Sequence, residues 1–331
     1  MRKIVSAEIC QAFGRSKNEF PLDLKTTKGM RFIEHLTEGE VREIQESVLN
    51  GSYELSPARF FSFQKDDPIR ERFPYSVNFP VSPNHSFALY IYPEDELVLK
   101  GLEKLIQKQN LPTVTRERSF AYREDKGLME YVTTLIGWGS AEVLLKFDLT
   151  KTFGQIEHAR LRKKLESVFQ DFFILGLYHS FMSLPVLLKD ETEVVQGDTG
   201  LPLPSASRLS PVLLNFYLET LDVALKGRFP QLPYARYGIE RIIALPTEED
   251  SKKLTTKCFN EVFVQLGLVG QITCILKGGS ARFEGGTISL DRDGLIQITP
   301  REVSSSPGSI SHLNFSDNQT NFTSCSNYFL S

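Results

Sequence analysis

Ala235-Arg236-Tyr237-Gly238-Ile239-Glu240-Arg241-Ile242-Ile243 is the stretch on which the reading of this chain turns. From Tyr234 to Leu245, apolar and aromatic residues surround a single glycine. That is the pattern of a β-hairpin with Gly238 near its turn. Glu240 and Arg241 set two opposite charges beside the turn, against the apolar run that follows.

Working outward, Val143-Leu144-Leu145-Lys146-Phe147-Asp148 reads as a buried strand ending on a carboxylate. A helix is predicted from about Glu157 to Gln170, with Leu161, Leu165, Val168 and Phe169 on one face. A second is predicted from about Pro211 to Lys226, ended by Gly227. Thr247 caps a further helix, with Glu248, Glu249 and Asp250 in its first turn and Gly267 at its close. Gln271–Leu276, Arg282–Leu290 and Leu295–Ile298 read as strands, with Asp293-Gly294 as a hairpin turn. Toward the N-terminus, Thr37 to Leu49 has helical spacing and Asn50-Gly51 stops it. Residues 53–93 read as short strands and loops, and Pro93-Glu94-Asp95-Glu96 opens a helix. The plan is α+β. Three parts are expected: an N-terminal helical segment over 1–50, a main domain over 51–290, and a terminal hairpin with a flexible Ser/Asn-rich tail over 291–331.

The 331 residues are 41% hydrophobic and 24% charged, ordinary values for a globular protein with a sizeable core. The longest apolar runs fall well short of the roughly 20 residues that span a bilayer. No secretory signal is read, and the four cysteines have no metal-ligand spacing. An intracellular protein with reduced, mostly buried thiols is expected, in a bacterial cytoplasm or an organelle such as a mitochondrion or plastid. Net charge is −3, whereas proteins that neutralise many phosphates carry a basic excess. Arg160-Leu161-Arg162-Lys163-Lys164 is the best basic patch, and it also reads as a solvated helix face. Hydrolase, zinc-protease, Walker and dinucleotide-binding motifs are absent.

Several segments then fall into a known order. Ser119-Phe120-Ala121-Tyr122-Arg123 with Gly127 is similar to an S-x-G-F-R-x-G-R segment. Lys146-Phe147-Asp148-Leu149-Thr150-Lys151-Thr152-Phe153-Gly154, continuing to His158, is similar to D-I-x-x-F-F-D-x-I-x-H. Pro204-Ser205-Ala206-Ser207-Arg208-Leu209-Ser210-Pro211, with Asn215, Tyr217-Leu218 and Asp222 beyond, is similar to P-Q-G-S-P-L-S-P-x-L-x-N-x-Y-L. Tyr237-Gly238-Ile239-Glu240 stands where R-Y-A-D-D would end. Leu266-Gly267-Leu268 with Lys277, and Phe283-Glu284-Gly285, complete the series. Together these resemble the palm and fingers of the reverse transcriptases, most closely the group II intron and retron-like branch, over roughly residues 53–290.

The resemblance implies a right-hand polymerase fold, with Asp148 as a metal-binding and catalytic aspartate. It implies nucleotide or template contacts by Arg123, Phe153, Pro204, Ser205, Ala206, Ser210, Asn215 and Lys277. The catalytic half departs from the family. Nucleotidyl transfer uses two divalent ions held by hard oxygen ligands, and the Ile239 side chain offers none where the first aspartate of the hairpin turn belongs. Glu240 keeps a vestigial carboxylate, and Arg241 directly after it is placed to compete for that carboxylate. Ser205 and Ala206 narrow a place where the family's glycine lets backbone approach closely. The residues after Gly285 are too few for a complete thumb. The resemblance therefore implies an inactive or nearly inactive relative, with RNA or an RNA/DNA duplex as partner, in an intron-maturase or ribonucleoprotein role. Magnesium enters only if synthesis survives through Asp148 and Glu240, which is the second expectation. A protein-interaction scaffold with a protein partner is the third. No membrane association is expected.

Overall fold

The computed structural model describes residues 32–64, 77–78, 85–109, 113–123, 126–149, 155–187, 193–194, 198–202, 207–247, 249, 263, 267–268, 270–283 and 285–300. In chain order the helices are α1 (Glu38–Leu49), α2 (Pro93–Gln107), α3 (Thr113–Arg118), α4 (Leu128–Gly137), α5 (His158–Glu166), α6 (Phe172–Met182) and α7 (Leu209–Arg228). The strands are β1 (Ala58–Gln64), β2 (Val77–Asn78), β3 (His85–Tyr90), β4 (Val143–Asp148), β5 (Val186–Leu187), β6 (Glu193–Val194), β7 (Tyr234–Tyr237), β8 (Glu240–Leu245), β9 (Gln271–Leu276), β10 (Ser280–Phe283), β11 (Gly286–Leu290) and β12 (Ile296–Pro300). The chain divides into two compact units, and each mixes helices with strands, antiparallel throughout the second and antiparallel but for the β1–β5 pair in the first.

The first unit is built from residues up to Gln109 together with Ile156–Leu213. α1 starts where predicted, because Thr37 and Glu40 cap each other's backbone N–H groups. α2 has Pro93 in its first turn followed by three acids, and buries Leu99, Leu102 and Ile106. Its sheet runs β2-β3-β1-β5-β6, with β1 and β3 antiparallel from Arg59↔Tyr90 to Gln64↔His85. The helix expected over Glu157–Gln170 ends at Glu166. A separate helix, α6, follows, capped by the Asp171 carboxylate accepting from the N–H groups of Phe173 and Ile174. The apolar run at Phe172 is thus a helix start and not an extension of α5. The Tyr178 hydroxyl donates to the Leu102 carbonyl, tying α6 to α2.

The second unit, Asn110–Gln155 with Leu214–Leu313, holds the hairpin. Its main sheet has the order β7-β8-β4-β9, all antiparallel. Residues directly opposite in such ladders point to the same face. One face carries Leu144, Ala244, Ile242, Ala235 and Ile275. It is covered by Tyr131 and Leu135 of α4 and by Phe283, Ile288, Leu290 and Ile296 from a second, three-stranded sheet, β10-β11-β12. The other face carries Phe147, stacked on Phe263 at 5.9 Å, and the side chains of Arg236 and Arg241.

Two local expectations are corrected. Arg282–Leu290 is not one strand but the hairpin β10–β11, which turns tightly so that Phe283 pairs with Gly286. α7 runs past Lys226 to Arg228, with Gly227 inside the helix and not capping it. Cys274 is exposed, on the outer strand β9. Asp293-Gly294 does turn the chain: the Asp291 carboxylate accepts from the N–H groups of Asp293 and Leu295. The strand beyond, β12, pairs residue for residue with β11 across the boundary expected at 290. The helix expected from Thr247 to Gly267 lies largely outside the described residues, and the expected tail lies wholly outside them.

Candidate functional site

The hairpin forms as its sequence demands. Gly238 has φ +57°, and Tyr122 is the one non-glycine with positive φ among the described residues, so Ile239 is ordinary. Glycine first in a two-residue loop is the type II′ arrangement, whose twist matches the strands it joins. The Ile239 carbonyl accepts from the Leu149 N–H at 3.2 Å, which fastens the turn to the end of β4.

This brings Tyr237, Glu240, Asp148 and Gln271 into one row across the end of the sheet, each opposite the next. Asp148 and Glu240 are therefore direct cross-strand partners, with Cβ atoms about 4.5–5.5 Å apart by the geometry of such pairs. Lys146 is two residues before Asp148 and so shares its face. Its ammonium lies 3.0 Å from Glu240 Oε2, with side-chain exposures of 14% and 9%. Arg241, expected to compete for Glu240, points to the opposite face. The reason is alternation: neighbours along a strand face opposite ways.

On that opposite face Arg241 joins a buried network. Asp222 of α7 accepts from Arg236 Nη2 at 2.7 Å and from Arg236 Nε at 3.0 Å, and it also accepts from the Tyr234 hydroxyl. Arg241 Nε stands 4.0 Å from Asp222, and its guanidinium nitrogens are buried without hydrogen bonds. Burial, then the charge of Arg236, pushes Arg241 down to about 10, so it is still charged at neutral pH. Burial pushes the Tyr234 hydroxyl well above its usual range.

The other expected site residues fall in different places. Asn215 is buried: its Oδ1 accepts from Ser119 Oγ at 3.0 Å and its Nδ2 donates to the Ala121 carbonyl at 3.3 Å. Asn215 thus holds the Ser119–Tyr122 segment, whose Phe120 N–H donates to the Arg236 carbonyl at the edge of β7. Arg123 follows that segment directly. Ser210 is fully buried and donates to the Pro202 carbonyl at 2.7 Å. Lys277 follows β9 at the end remote from Asp148. Asp148 pairs with Gln271 and Val143 with Leu276, and the Lys277 ammonium is 2.6 Å from the Glu142 carboxylate. At about 3.3 Å per residue, this sets it roughly 20 Å from the row of carboxylates. Phe153, Pro204, Ser205, Ala206 and Glu284 lie outside the described residues.

The magnesium implied by the resemblance can be tested against these side chains. Magnesium requires near-octahedral oxygen ligation. The Ile239 side chain supplies no oxygen, its carbonyl oxygen accepts from Leu149, and the Glu240 carboxylate is held by an ammonium. Among the described residues no three His, Cys, Asp or Glu side chains come together as a metal site. The described residues at this end of the sheet do not fit a two-ion centre. Lys146 was not singled out from sequence, although its i, i+2 relation to Asp148 places it on the same face.

No family model matches this sequence, and no curated protein matches it. Among solved structures it is similar to telomerases. Apo telomerase from Candida tropicalis, truncated from its C-terminal domain, matches at 13% identity over 62% of this chain and 45% of that one, with TM-score 0.45. Candida tropicalis telomerase in complex with a TWJ fragment of telomeric RNA matches at 14% identity over 71% and 41%, TM-score 0.46. The corresponding Candida albicans complex matches at 12% identity over 80% and 52%, TM-score 0.47. The chain spans about half the length of these proteins or less. Among the described residues, no helix is long and apolar enough to cross a membrane.

Proposed function

We propose that this chain is a reverse-transcriptase-like palm and fingers that no longer synthesises DNA and serves instead by holding RNA, as intron maturases do. The observation that carries the reading is the pairing of Asp148 with Glu240 at the end of β4 and β8, beside a turn that presents Ile239. Two segments far apart in sequence that resemble family motifs are paired there, and Ile239 stands where the resemblance expects the first aspartate of the hairpin turn. By the resemblance, Arg123, Phe153, Pro204, Ser205 and Ala206 would contact the RNA. Ser210 and Asn215 would act through the scaffold, given their inward hydrogen bonds.

Primer extension on an RNA template, with magnesium and with manganese, tests the reading beside RNA retention over a salt series. The expected result is no extension, together with retention that weakens as salt rises. Extension that vanishes in Asp148→Ala would overturn it in favour of a working polymerase. One observation favours a second reading, a protein-interaction scaffold. The basic run on α5 is tied up locally, Arg160 to Glu157 and Arg162 to Glu166, which leaves less charge for phosphates. No RNA retained at low salt, with a protein partner stably copurified, would establish that reading.

A further inference from the structure

We propose that β9 is a docking edge for a second copy of this chain, the two β9 strands pairing antiparallel about a two-fold axis at Cys274. This pairing involves the second unit alone and needs no RNA.

Sheet edges present unpaired N–H and C=O groups, and proteins blunt them with lysine, proline, bulges or a covering segment. The two edges of the sheet β7-β8-β4-β9 differ in this respect. At β7 the edge is taken up: Ser119 bridges Arg236, and the Phe120 N–H donates to the Arg236 carbonyl. Strand β9 pairs with β4 on one side, and among the described residues no strand pairs with its other side. Gln271-Ile272-Thr273-Cys274-Ile275-Leu276 includes no charge and no proline, and it pairs with β4 without a bulge. Gln271, Thr273, Cys274 and Leu276 are exposed, Leu276 by 44%.

The occupant follows from the strand itself. A two-fold axis sets the residues of a strand opposite residues of that same strand, so a charged strand meets its own charges and β9 meets none. Alternation then selects the register. Ile272, Cys274 and Leu276 oppose Phe147, Leu145 and Val143 and share one face. Centring on Cys274 sets Ile272 opposite Leu276 of the second copy, and covers the exposed surface of Leu276. A shift of one residue sets Leu276 against Gln271 or Thr273 instead. Lys277, just beyond the strand, falls opposite Gln271 and keeps its ion pair with Glu142. Six residues a side are far fewer than the roughly 20–30 of a standard interface. The dimer should therefore be weak, with a Kd on the order of 10–100 μM.

Sedimentation of the full chain across the micromolar range, under reducing conditions, tests the pairing beside disulfide trapping. Wild type should pass from monomer to dimer, and Cys274→Ser should do the same. Cys274→Lys should stay monomeric, since it sets like charges opposite each other on the axis. Cys274→Asp should stay monomeric for the same reason, and an equimolar mixture of the two variants should recover the dimer. Trapping uses the unaltered chain and so does not depend on how a charged variant folds. Directly opposed residues have Cα atoms about 4.5–5.5 Å apart, within the span of a disulfide. Diamide, which takes up the two thiol hydrogens as the S–S bond forms, should link wild-type copies through Cys274, and the link should be lost in Cys274→Ser. A wild type that stays monomeric and forms no Cys274 link overturns the proposal. A dimer that Cys274→Lys leaves intact overturns it equally. Neither result bears on RNA retention, which has its own assay.

Discussion

Arg236 and Asp222 form a two-pronged ion pair in the interior, Nη2 to Oδ2 at 2.7 Å and Nε to Oδ1 at 3.0 Å, with neither side chain exposed. The carboxylate serves two guanidinium groups at once, because Arg241 Nε stands 4.0 Å away on the same side. Asp222→Ala would leave both arginines buried without a counter-charge, and should lower unfolding free energy by about 3–5 kcal/mol. Urea midpoints at constant m measure it. Arg241→Met should behave differently. It removes a charge that makes no hydrogen bond, and stability should hold or rise. A loss comparable to that of Asp222→Ala would refute this division of roles.

Gly238→Ala should cost about 1–2 kcal/mol, the ordinary penalty for a side chain at its left-handed φ of +57°. The new methyl would also meet Tyr122 Cε2 at 3.4 Å, a tight contact. Thermal unfolding of Gly238→Ala beside Gly238→Asn separates the two effects. Asparagine tolerates the backbone better, so it should recover part of the loss.

Gly270 matters for space and not for φ. A Cβ there would lie 2.5 Å from Leu149 Cδ2 and 2.9 Å from the Asp148 carbonyl oxygen. Gly270→Ala should therefore cost about 1–3 kcal/mol through overpacking and displace the end of β4 that carries Asp148. Adding Leu149→Ala should relieve the side-chain clash only, since the backbone contact persists. Full recovery in the double variant would contradict the geometry.

Asp95 gives a pH-dependent expectation. It is buried, and burial raises its carboxyl above the usual range, while hydrogen bonds from the Tyr53 hydroxyl at 2.8 Å and the Ser56 N–H at 3.2 Å oppose the rise. A carboxyl whose folded pKa exceeds its unfolded one binds more protons when folded. Its contribution is thus greatest at low pH and declines as pH rises from about 4 through the folded value. Asp95→Asn should flatten that part of the stability curve in urea titrations between pH 4 and 7. Tyr53→Phe should move it to higher pH, since it removes a bond that favours the charged form.

The hairpin, β4 and the start of α1 were legible in the sequence because each rests on local chemistry. Gly238 needs its φ, Thr37 with Glu40 closes a cap, and Val143 to Phe147 is apolar enough for a central strand. Asp148 and Glu240 were read in their motifs, and the ladder made them neighbours. What escaped depends on direction and distance. Arg241 and Glu240 are adjacent in sequence yet separated by a sheet. Lys277 keeps a motif's spacing from Leu268 but β9 carries it to the far end, toward Glu142. Lys146 looked like one more residue of a strand until β8 supplied its partner. The break between α5 and α6 hung on the side chain of Asp171, whose capping bonds override the apolar continuity on either side.

The pairing order of the second unit also governs when it can form. β4 is one of two inner strands of its sheet, yet both its neighbours, β8 and β9, come much later in the chain. At a synthesis rate of about 5–20 residues per second, Val143, Leu144, Leu145 and Phe147 would wait on the order of 10 s for partners. During that time they form an unpaired apolar strand. Folding that depends on such distant contacts is intrinsically slow and exposed to aggregation. Recovery from denaturant should thus be limited by closure of β8 and β9 onto β4, and should fall off as protein concentration rises.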